Sequence, residues 1–270
     1  MPTTVPQLID RAKAGRPIVV LTAYDYSGAR LVAAGGVDAI MVGDSVGVVV
    51  QGRRNTLAVT LDQMVYHCEM VSRGAPDALV IGDLPFMSYQ EGAAQAVRSA
   101  GRLVKEGGCG TVKLEGGMRM AEQIAAIVRA DIPVMAHIGL TPQSIHQLGG
   151  YRVQRDADRL LADARAVQEA GAWSVVLECV PREIAAHITD QLTIPTIGIG
   201  AGPDCLGQVL VFHDILGLYD DKPLRFVRRY ADLKTVVTEA VRHYREEVES
   251  RRFPAPQHCF TVGPNDPREA

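Results

Sequence analysis

The feature that most constrains this chain is a repeat of short, almost uninterrupted apolar runs rich in Val and Ile. Eight such runs occur, at residues 18–24, 38–42, 78–82, 111–115, 133–138, 174–178, 195–199 and 208–212. Runs that are apolar at nearly every position are typical of parallel strands covered on both faces. Because helical segments separate them, we predict an α/β fold in which eight parallel strands close into a (β/α)8 TIM barrel. A doubly wound open sheet is the alternative.

Between the runs, apolar residues recur at three- and four-residue spacing, which predicts amphipathic helices. These helices are predicted at 27–34, 61–72, 91–106, 120–130, 159–170 and 182–191. Only about two helical turns fit between the seventh and eighth runs. Two further helices are predicted near the C-terminus, at 226–230 and 233–251. We therefore expect one barrel domain over residues 1–252, with helical additions at both ends, and an extended or disordered tail over residues 253–270.

Composition argues against several classes of protein. The 270 residues carry a net charge of −3, and 47% of them are hydrophobic, which suits a buried core rather than a nucleic-acid footprint. The densest basic run, at 225–229, is expected to be a solvated face or a subunit contact. The five cysteines form no CxxC pair, so reduced thiols are expected. No run approaches the roughly 20 apolar residues of a membrane span, and we expect a cytoplasmic protein.

Charged side chains stand at or near the ends of several predicted strands: Asp44, Asp83, Glu115, His137 and Glu178. The C-terminal ends of all the strands of a barrel meet on one face, where active sites lie, so we expect these side chains to converge. Helix capping explains one or two of the acids, but Glu is a poor N-cap. Converging carboxylates repel one another unless a cation or a proton compensates them. Oxygen ligands without Cys favour Mg²⁺, with Mn²⁺ as a substitute.

Three further positions qualify this site. Lys113 is two residues before Glu115 on one strand, so both side chains face the same way. Lys113 either pairs with a substrate carboxylate or enolate oxygen, or only neutralises the neighbouring acids. Ser45 offers a hydroxyl and a backbone N–H to a carboxylate. Glu178 is predicted to lie across the barrel from the first two acids, and an apolar setting that raises its pKa would suit a general base.

Two loops of the predicted rim are unusual. Residues 139–152 are long for a βα loop and predict a lid, from which His146 and Tyr151 are candidate substrate contacts. The glycine-rich residues 198–202 follow the seventh strand, where many barrels hold a phosphate. They include no Lys, Ser or Thr, which favours a tight turn over a phosphate site.

Taken in order, the motifs resemble those of the ketopantoate hydroxymethyltransferase family. They are TAYDYSGA, MVGDSVG, GDLPFMSY, VKLEGG, AHIGLTPQS, GGYRVQ, VLECVP, IGIGAG and VFHDILGL, spread from about residue 5 to residue 260. The family belongs to the phosphoenolpyruvate/pyruvate barrel superfamily. The resemblance implies transfer of a hydroxymethyl group from 5,10-methylenetetrahydrofolate to 3-methyl-2-oxobutanoate, on the route to pantothenate and coenzyme A. It also implies a homo-oligomer, typically a decamer.

The resemblance further implies roles for particular residues. These are Asp44, Asp83 and, through water, Glu115 for Mg²⁺; Asp44, Ser45, Asp83, Lys113 and His137 for the oxo acid; and Glu178 as the proton acceptor. One departure is a segment after GGYRVQ that is shorter than is usual in the family, which bears on how the lid closes.

Two other functions fit the rim carboxylates. The first is a Mg²⁺-dependent carbon–carbon lyase or mutase acting on another 2-oxo acid, although the Lys-Lys-Cys-Gly-His signature of such lyases is missing from the sequence. The second is a barrel that binds a 2-oxo acid or a metal without catalysis. That function would predict loss of the base, whereas Glu178 is present.

Overall fold

A computed structural model describes residues 2–219 and 224–260 of the chain. Its strands are β1 (Ile18–Thr22), β2 (Ala39–Val42), β3 (Leu79–Asp83), β4 (Thr111–Glu115), β5 (Val134–Gly139), β6 (Ser174–Glu178), β7 (Thr196–Ile199) and β8 (Gly207–Leu210). Its helices are α1 (Val5–Lys13), α2 (Tyr26–Ala34), α3 (Val46–Val49), α4 (Leu61–Gly74), α5 (Ala93–Lys105), α6 (Ala121–Arg129), α7 (Ile145–Leu148), α8 (Ala157–Glu169), α9 (Arg182–Gln191), α10 (Phe212–Leu216) and α11 (Leu233–Glu249). Short 3₁₀ turns occupy Met118–Met120, Pro142–Ser144 and Pro256–His258.

The eight strands form one closed parallel sheet. Each strand pairs with the next, and β8 pairs with β1 through the register Ile18↔Gly207 to Leu21↔Leu210. The predicted (β/α)8 barrel is therefore confirmed, and the open-sheet alternative is wrong. The predicted strands agree with the observed ones to within about two residues at each end.

Alternate residues of each strand belong to two different apolar clusters. In β2, Ala39 and Met41 pack inside the barrel, whereas Ile40 and Val42 pack with residues of the surrounding helices. Helix α1 adds Leu8 to the inner cluster, at the N-terminal ends of the strands. Burying a large apolar side chain contributes about 1.5–3 kcal/mol. A one-residue slip in register would exchange the two faces, so this alternation fixes which side chains point into the barrel.

The connection between β7 and β8 is as short as predicted, and one predicted helical segment has a different structure. No helix lies between β7 and β8, where residues 200–206 form a loop, and Gly200 and Gly202 adopt positive φ angles of 64° and 83°. The helix predicted at 226–230 is wrong, because those residues form a turn and an irregular stretch. The ring of Phe226 packs directly over Gly200, where an added Cβ would lie only 2.9 Å from it. This tertiary contact outweighs the local apolar pattern.

The chain divides into two compact units. One comprises Met1–Phe212 and Leu224–Val227 and holds the barrel. The other comprises His213–Pro223 and Arg228–Ala270, and its main described element is α11, which has no buried side chain. The single domain expected over residues 1–252 stays a prediction, and residues 261–270 of the expected tail lie outside the described residues. Among the described helices, none is both long and apolar enough to cross a membrane.

Candidate active site

The alternation of the strands directs the predicted site residues into the barrel. Residues two positions earlier in the same strands, such as Ile81, Met135 and Val176, belong to the inner cluster. Successive side chains of a strand point to opposite faces, so every second residue shares that inward direction. The residues that follow inward at the C-terminal ends are Asp83, Lys113, Glu115, His137 and Glu178. The structure thus brings together the strand-borne residues that the sequence singled out.

Asp44 and Ser45 join this group from the turn after β2. The backbone N–H of Asp44 donates to Asp83 Oδ2 at 3.1 Å, and the Asp44 side chain is buried. The Ser45 hydroxyl lies 2.8 Å from the hydroxyl of Tyr24. A Cβ at Gly43 would lie 2.8 Å from Ser45 Oγ, so a glycine allows the turn to fold this tightly. The turn places a serine hydroxyl beside two buried carboxylates.

A buried ion pair forms the centre of the site. Lys113 Nζ lies 2.8 Å from Asp83 Oδ1, and the two side chains are 6% and 2% exposed. Burial by itself lowers the pKa of Lys113, but the charges of Asp83, Glu115 and Asp44 together raise it above its usual value. Lys113 therefore carries a positive charge inside the barrel.

The remaining acids are harder to ionise. Burial, followed by repulsion from Asp83, raises the pKa of Asp44 to about 7, although Lys113 and Gln143 oppose the shift. Burial also raises the pKa of Glu115 well above its usual range, against the attraction of Lys113. Three buried carboxyl groups thus share one buried cation. A second positive charge, or a proton, would relieve the excess negative charge.

This electrostatic arrangement predicts how the stability of the metal-free protein depends on pH. Asp44 has a pKa of about 7 in the folded chain and an ordinary value of 3.8. Between those values the folded state keeps a proton that the unfolded state has lost, so a rise in pH favours unfolding. With chelator present, the free energy of unfolding should fall between about pH 4 and pH 7, by a few kcal/mol at most.

Urea unfolding at several pH values measures this effect. Asp44→Asn cannot titrate at that position, so its stability should depend less on pH than that of the wild type. Equal slopes for the two proteins would show that Asp44 does not carry the effect.

Gln143 is a central residue of the site that the sequence did not identify. Its side-chain Nε2 donates to Asp44 Oδ2 at 2.9 Å and to the carbonyl of Leu84 at 3.0 Å. Its Oε1 accepts from the Tyr89 hydroxyl at 2.7 Å, and its backbone N–H donates to Glu115 Oε2 at 2.9 Å. The residue is only 5% exposed. One glutamine from the loop after β5 therefore holds two of the predicted metal acids in place.

Replacing Gln143 should cost stability. Gln143→Ala removes a buried hydrogen-bond partner of Asp44 and of the Leu84 carbonyl, whereas the Tyr89 hydroxyl keeps its bonds to the Glu115 backbone. Each buried polar group left unsatisfied costs about 1–3 kcal/mol. Urea unfolding should therefore show a loss of about 2–5 kcal/mol. Gln191→Ala is the matched control, because the exposed Gln191 side chain accepts a hydrogen bond from Arg165 at the surface. Equal stability of the two variants would contradict the role assigned to Gln143.

His137 lies between two acids. Its Nε2 is 3.2 Å from Glu178 Oε2, and its Nδ1 is 3.7 Å from Glu115 Oε1. Burial lowers the pKa of His137, Lys113 lowers it further, and Glu178 only partly opposes the shift. A neutral imidazole in this position has one N–H to give and one lone pair to accept. The Glu178 side chain keeps 16% of its surface exposed, so it remains accessible from the barrel mouth.

The long loop after β5 is partly ordered by short helical turns, Pro142–Ser144 and α7. His146 lines a cavity at the rim together with Glu115 and Gln143. Tyr151 is exposed, yet its pKa is raised by partial burial and by the charge of Glu178, which places it on the side of the acids. The motion of the loop over residues 139–152 as a lid stays a prediction.

The acids suit a divalent cation that keeps part of its water shell. Asp44 and Asp83 are adjacent and buried, and both offer carboxylate oxygens as ligands. Within residues 2–219 and 224–260, no three His, Cys, Asp or Glu side chains are placed to hold a metal ion by themselves. Mg²⁺ commonly takes one or two carboxylates and retains several waters, so the donor set fits Mg²⁺.

Comparisons with known proteins give matches over nearly the whole chain. A sequence model described as ketopantoate hydroxymethyltransferase matches residues 2–256. Proteins named 3-methyl-2-oxobutanoate hydroxymethyltransferase from Pelobacter propionicus and Geobacter sulfurreducens are each 56% identical to this chain. The alignments cover 95% and 94% of this chain, respectively, and 97% of each relative.

Solved structures show the same fold at lower identity. A 2,3-dimethylmalate lyase, described as a member of the PEP mutase/isocitrate lyase superfamily, aligns with a TM-score of 0.61 and 21% identity. The alignment covers 97% of this chain and 93% of that one. A phosphonopyruvate hydrolase aligns with a TM-score of 0.63 and 12% identity, over 96% of this chain and 92% of that one.

Proposed function

Because this chain belongs to the ketopantoate hydroxymethyltransferase family, we propose that it transfers a hydroxymethyl group from 5,10-methylenetetrahydrofolate to 3-methyl-2-oxobutanoate. The products would be 2-dehydropantoate, a precursor of pantothenate and coenzyme A, and tetrahydrofolate. One observation carries the proposal for the chemistry. A partly accessible carboxylate, Glu178, lies beside His137 at the mouth of a barrel whose interior holds Lys113 among three acids.

The reaction balances with one water molecule. The C3–H bond of the oxo acid breaks, and a bond forms between C3 and the methylene carbon. Both carbon–nitrogen bonds of the methylene bridge break, and water supplies the oxygen of the new hydroxyl group. The two folate nitrogens take up one proton from C3 and one from water.

The oxo acid would bind at the charged end of the site. Lys113 carries the positive charge that a carboxylate or a developing enolate oxygen requires. The Ser45 hydroxyl and the backbone around Asp44 supply hydrogen-bond donors on the same side. This arrangement would direct C3 of the substrate toward the opposite strands, where Glu178 ends β6.

Glu178 is proposed as the base that removes the C3 proton. Its neighbour His137 is neutral near pH 7 because burial lowers the pKa of the imidazole. A neutral His137 would donate one hydrogen bond without adding a charge, so it would orient the Glu178 carboxylate, whose Oε2 lies 3.2 Å from its Nε2. His137 is thus proposed as a positioning residue as well as a substrate contact.

Asp44 and Asp83 are proposed to hold Mg²⁺, with Glu115 bound to it through water. When bound, Mg²⁺ would act as a Lewis acid toward the oxo-acid oxygens. The raised pKa values of Asp44 and Glu115 support this assignment, because a nearby dication would allow both groups to ionise. Gln143 would keep Asp44 and Glu115 oriented for it.

A product assay tests the proposed function. Purified protein with Mg²⁺, methylenetetrahydrofolate and 3-methyl-2-oxobutanoate should yield 2-dehydropantoate, detected by mass spectrometry. Parallel reactions with oxaloacetate or isocitrate test the lyase hypothesis and should show no cleavage. Cleavage without hydroxymethyl transfer would overturn the proposal, and neither activity would favour a non-catalytic barrel.

The oligomeric state and the cellular location of this chain are proposed from its family. A homo-oligomer, with a decamer favoured, and a cytoplasmic location are both proposed for this chain. Size-exclusion chromatography with light scattering measures the first, and a monomer across a wide concentration range would contradict it.

A further inference from the structure

Two cavities lie side by side on the rim, between the loop after β4 and the loop after β5. The inner cavity, of about 250 Å³, reaches Glu115 and Gln143. The outer cavity, of about 440 Å³, extends to the first turns of α8. Arg119, Ser144 and Gln147 line both cavities. They are therefore two parts of one elongated groove, which we call the rim groove, that leads from the acids to the surface.

We propose that the rim groove binds the folate co-substrate, with the pteridine ring in the inner part and the aminobenzoylglutamate tail in the outer part. This inference rests on the proposed function and names residues for the one-carbon donor. A donor must bring its methylene carbon next to the oxo acid. The inner part shares Glu115 and Gln143 with the acid cluster, so a ligand seated there would lie beside the reacting centre.

The inner part has the chemistry that a flat heterocycle requires. Apolar side chains, including Phe86, which is 36% exposed, provide faces against which a ring can pack. Amide side chains of Gln90 and Gln147 and the ring of His146 provide donors and acceptors around the edge. Ligand sites typically combine apolar walls with a few placed polar groups in this way.

Arg119 stands where the two parts meet. Its Nη2 donates to Ser144 Oγ at 2.7 Å, and its Nη1 donates to Gln147 Oε1 at 3.3 Å. These bonds hold an exposed guanidinium group at the junction between the loops. A planar guanidinium there can stack on an aromatic ring or bind a carboxylate. It would contact the donor where the pteridine joins the aminobenzoyl group.

The outer part would bind the carboxylates of the tail. Arg159 lines it from α8, and its side chain is 67% exposed. The two acids of the outer part are already engaged with backbone N–H groups. Asp163 accepts from Met118 N at 2.8 Å, and Asp156 accepts from Arg159 N at 3.1 Å. Arg159 Nε also lies 3.9 Å from Asp163 Oδ2, a long ion pair that an incoming carboxylate would replace with closer, bidentate hydrogen bonds to the exposed guanidinium. Arg119, which already donates to Ser144 and Gln147, would add its positive charge nearby.

Binding measurements with two ligands test the assignment. Calorimetric titration with tetrahydrofolate should show about 10- to 100-fold weaker binding for Arg159→Ala, because one charge-assisted contact is lost. Titration with 6-methyltetrahydropterin, which has no tail, should give the same affinity for the variant and the wild type. Gln147→Trp, which fills the junction, should weaken the binding of both ligands. Arg165→Ala is the matched control on α8, because its guanidinium pairs with Gln191 instead.

Unchanged tetrahydrofolate affinity in both Arg159→Ala and Gln147→Trp would overturn the inference. An equal loss of affinity for tetrahydrofolate and for 6-methyltetrahydropterin in Arg159→Ala would also overturn it, because Arg159 would then not bind the tail. Deuterium exchange at C3 of 3-methyl-2-oxobutanoate in the wild type, without folate, separates this inference from the proposed function. If the wild type exchanges the C3 proton but Arg159→Ala and Gln147→Trp leave the tetrahydrofolate affinity unchanged, the proposed function stands and the folate binds elsewhere.

Discussion

The Glu178→Gln protein is expected to lose deuterium exchange at C3 of 3-methyl-2-oxobutanoate, by about 10²- to 10⁴-fold, together with hydroxymethyl transfer. The amide has nearly the shape of the carboxylate but cannot accept the proton. Mg²⁺ binding, measured by calorimetry, should be nearly unchanged, because the proposed ligand Asp83 ends β3 and the proposed ligand Asp44 follows β2, on the other side of the barrel from β6. The combination of lost exchange and retained metal binding is the signature of a base.

Glu183→Gln provides the matched control for this experiment. Glu183 lies in the first turn of α9, five residues further along the chain, and it is exposed. The Glu183→Gln protein should exchange the C3 proton of 3-methyl-2-oxobutanoate at the wild-type rate. Wild-type exchange in Glu178→Gln itself would refute the assignment of the base and would direct attention to His137, the nearest other proton acceptor.

Asp83→Asn is expected to raise the Mg²⁺ concentration needed for half-maximal exchange by at least about 10- to 100-fold. Losses of that size follow the removal of partners that only orient a metal ligand, so the loss of a ligand should cost no less. The substitution also removes the ion-pair partner of Lys113. Breaking a buried pair costs about 3–5 kcal/mol when the remaining charge is left alone. Asp44 and Glu115 remain near Lys113, so we expect a smaller loss and a folded protein.

Asp77→Asn is the control for this variant, because Asp77 is exposed and lies just before β3, whereas Asp83 ends that strand. The C3 exchange rate is titrated with Mg²⁺ for both variants, and the stability of each variant is measured by urea unfolding. A changed Mg²⁺ requirement under conditions where both variants are folded is then an effect on the metal and not on folding. An unchanged Mg²⁺ requirement in Asp83→Asn would contradict its role as a ligand, whatever the activity at saturating metal.

The barrel and most of its site were predictable from the sequence for one physical reason. Continuous apolar runs mark strands that are covered on both faces, and the period of two along a strand then decides which side chains point inward. Lys113 and Glu115 share an inward face with Thr111 for that reason, and their strand was predicted to the residue. Asp83 and Glu178 follow inward-facing Ile81 and Val176 in the same way.

Other features depend on contacts between distant parts of the chain. Gln143 reaches Asp44, which is 99 positions away in the sequence, from a loop whose local pattern carries no signal for that contact. The charge of Lys113 and the raised pKa of Asp44 depend on the mutual distances of groups from different strands. The helix predicted at 226–230 failed because Phe226 packs over Gly200, a contact that no local pattern reveals.

The central claim is that this barrel activates C3 of 3-methyl-2-oxobutanoate for attack on a one-carbon donor. Proton NMR in D₂O measures that step directly, through loss of the C3–H signal with the protein and Mg²⁺ present and no folate added. We predict that the signal disappears with intact Mg²⁺ and persists when the metal is chelated. A C3–H signal that persists with Mg²⁺ bound and the protein folded would contradict the account.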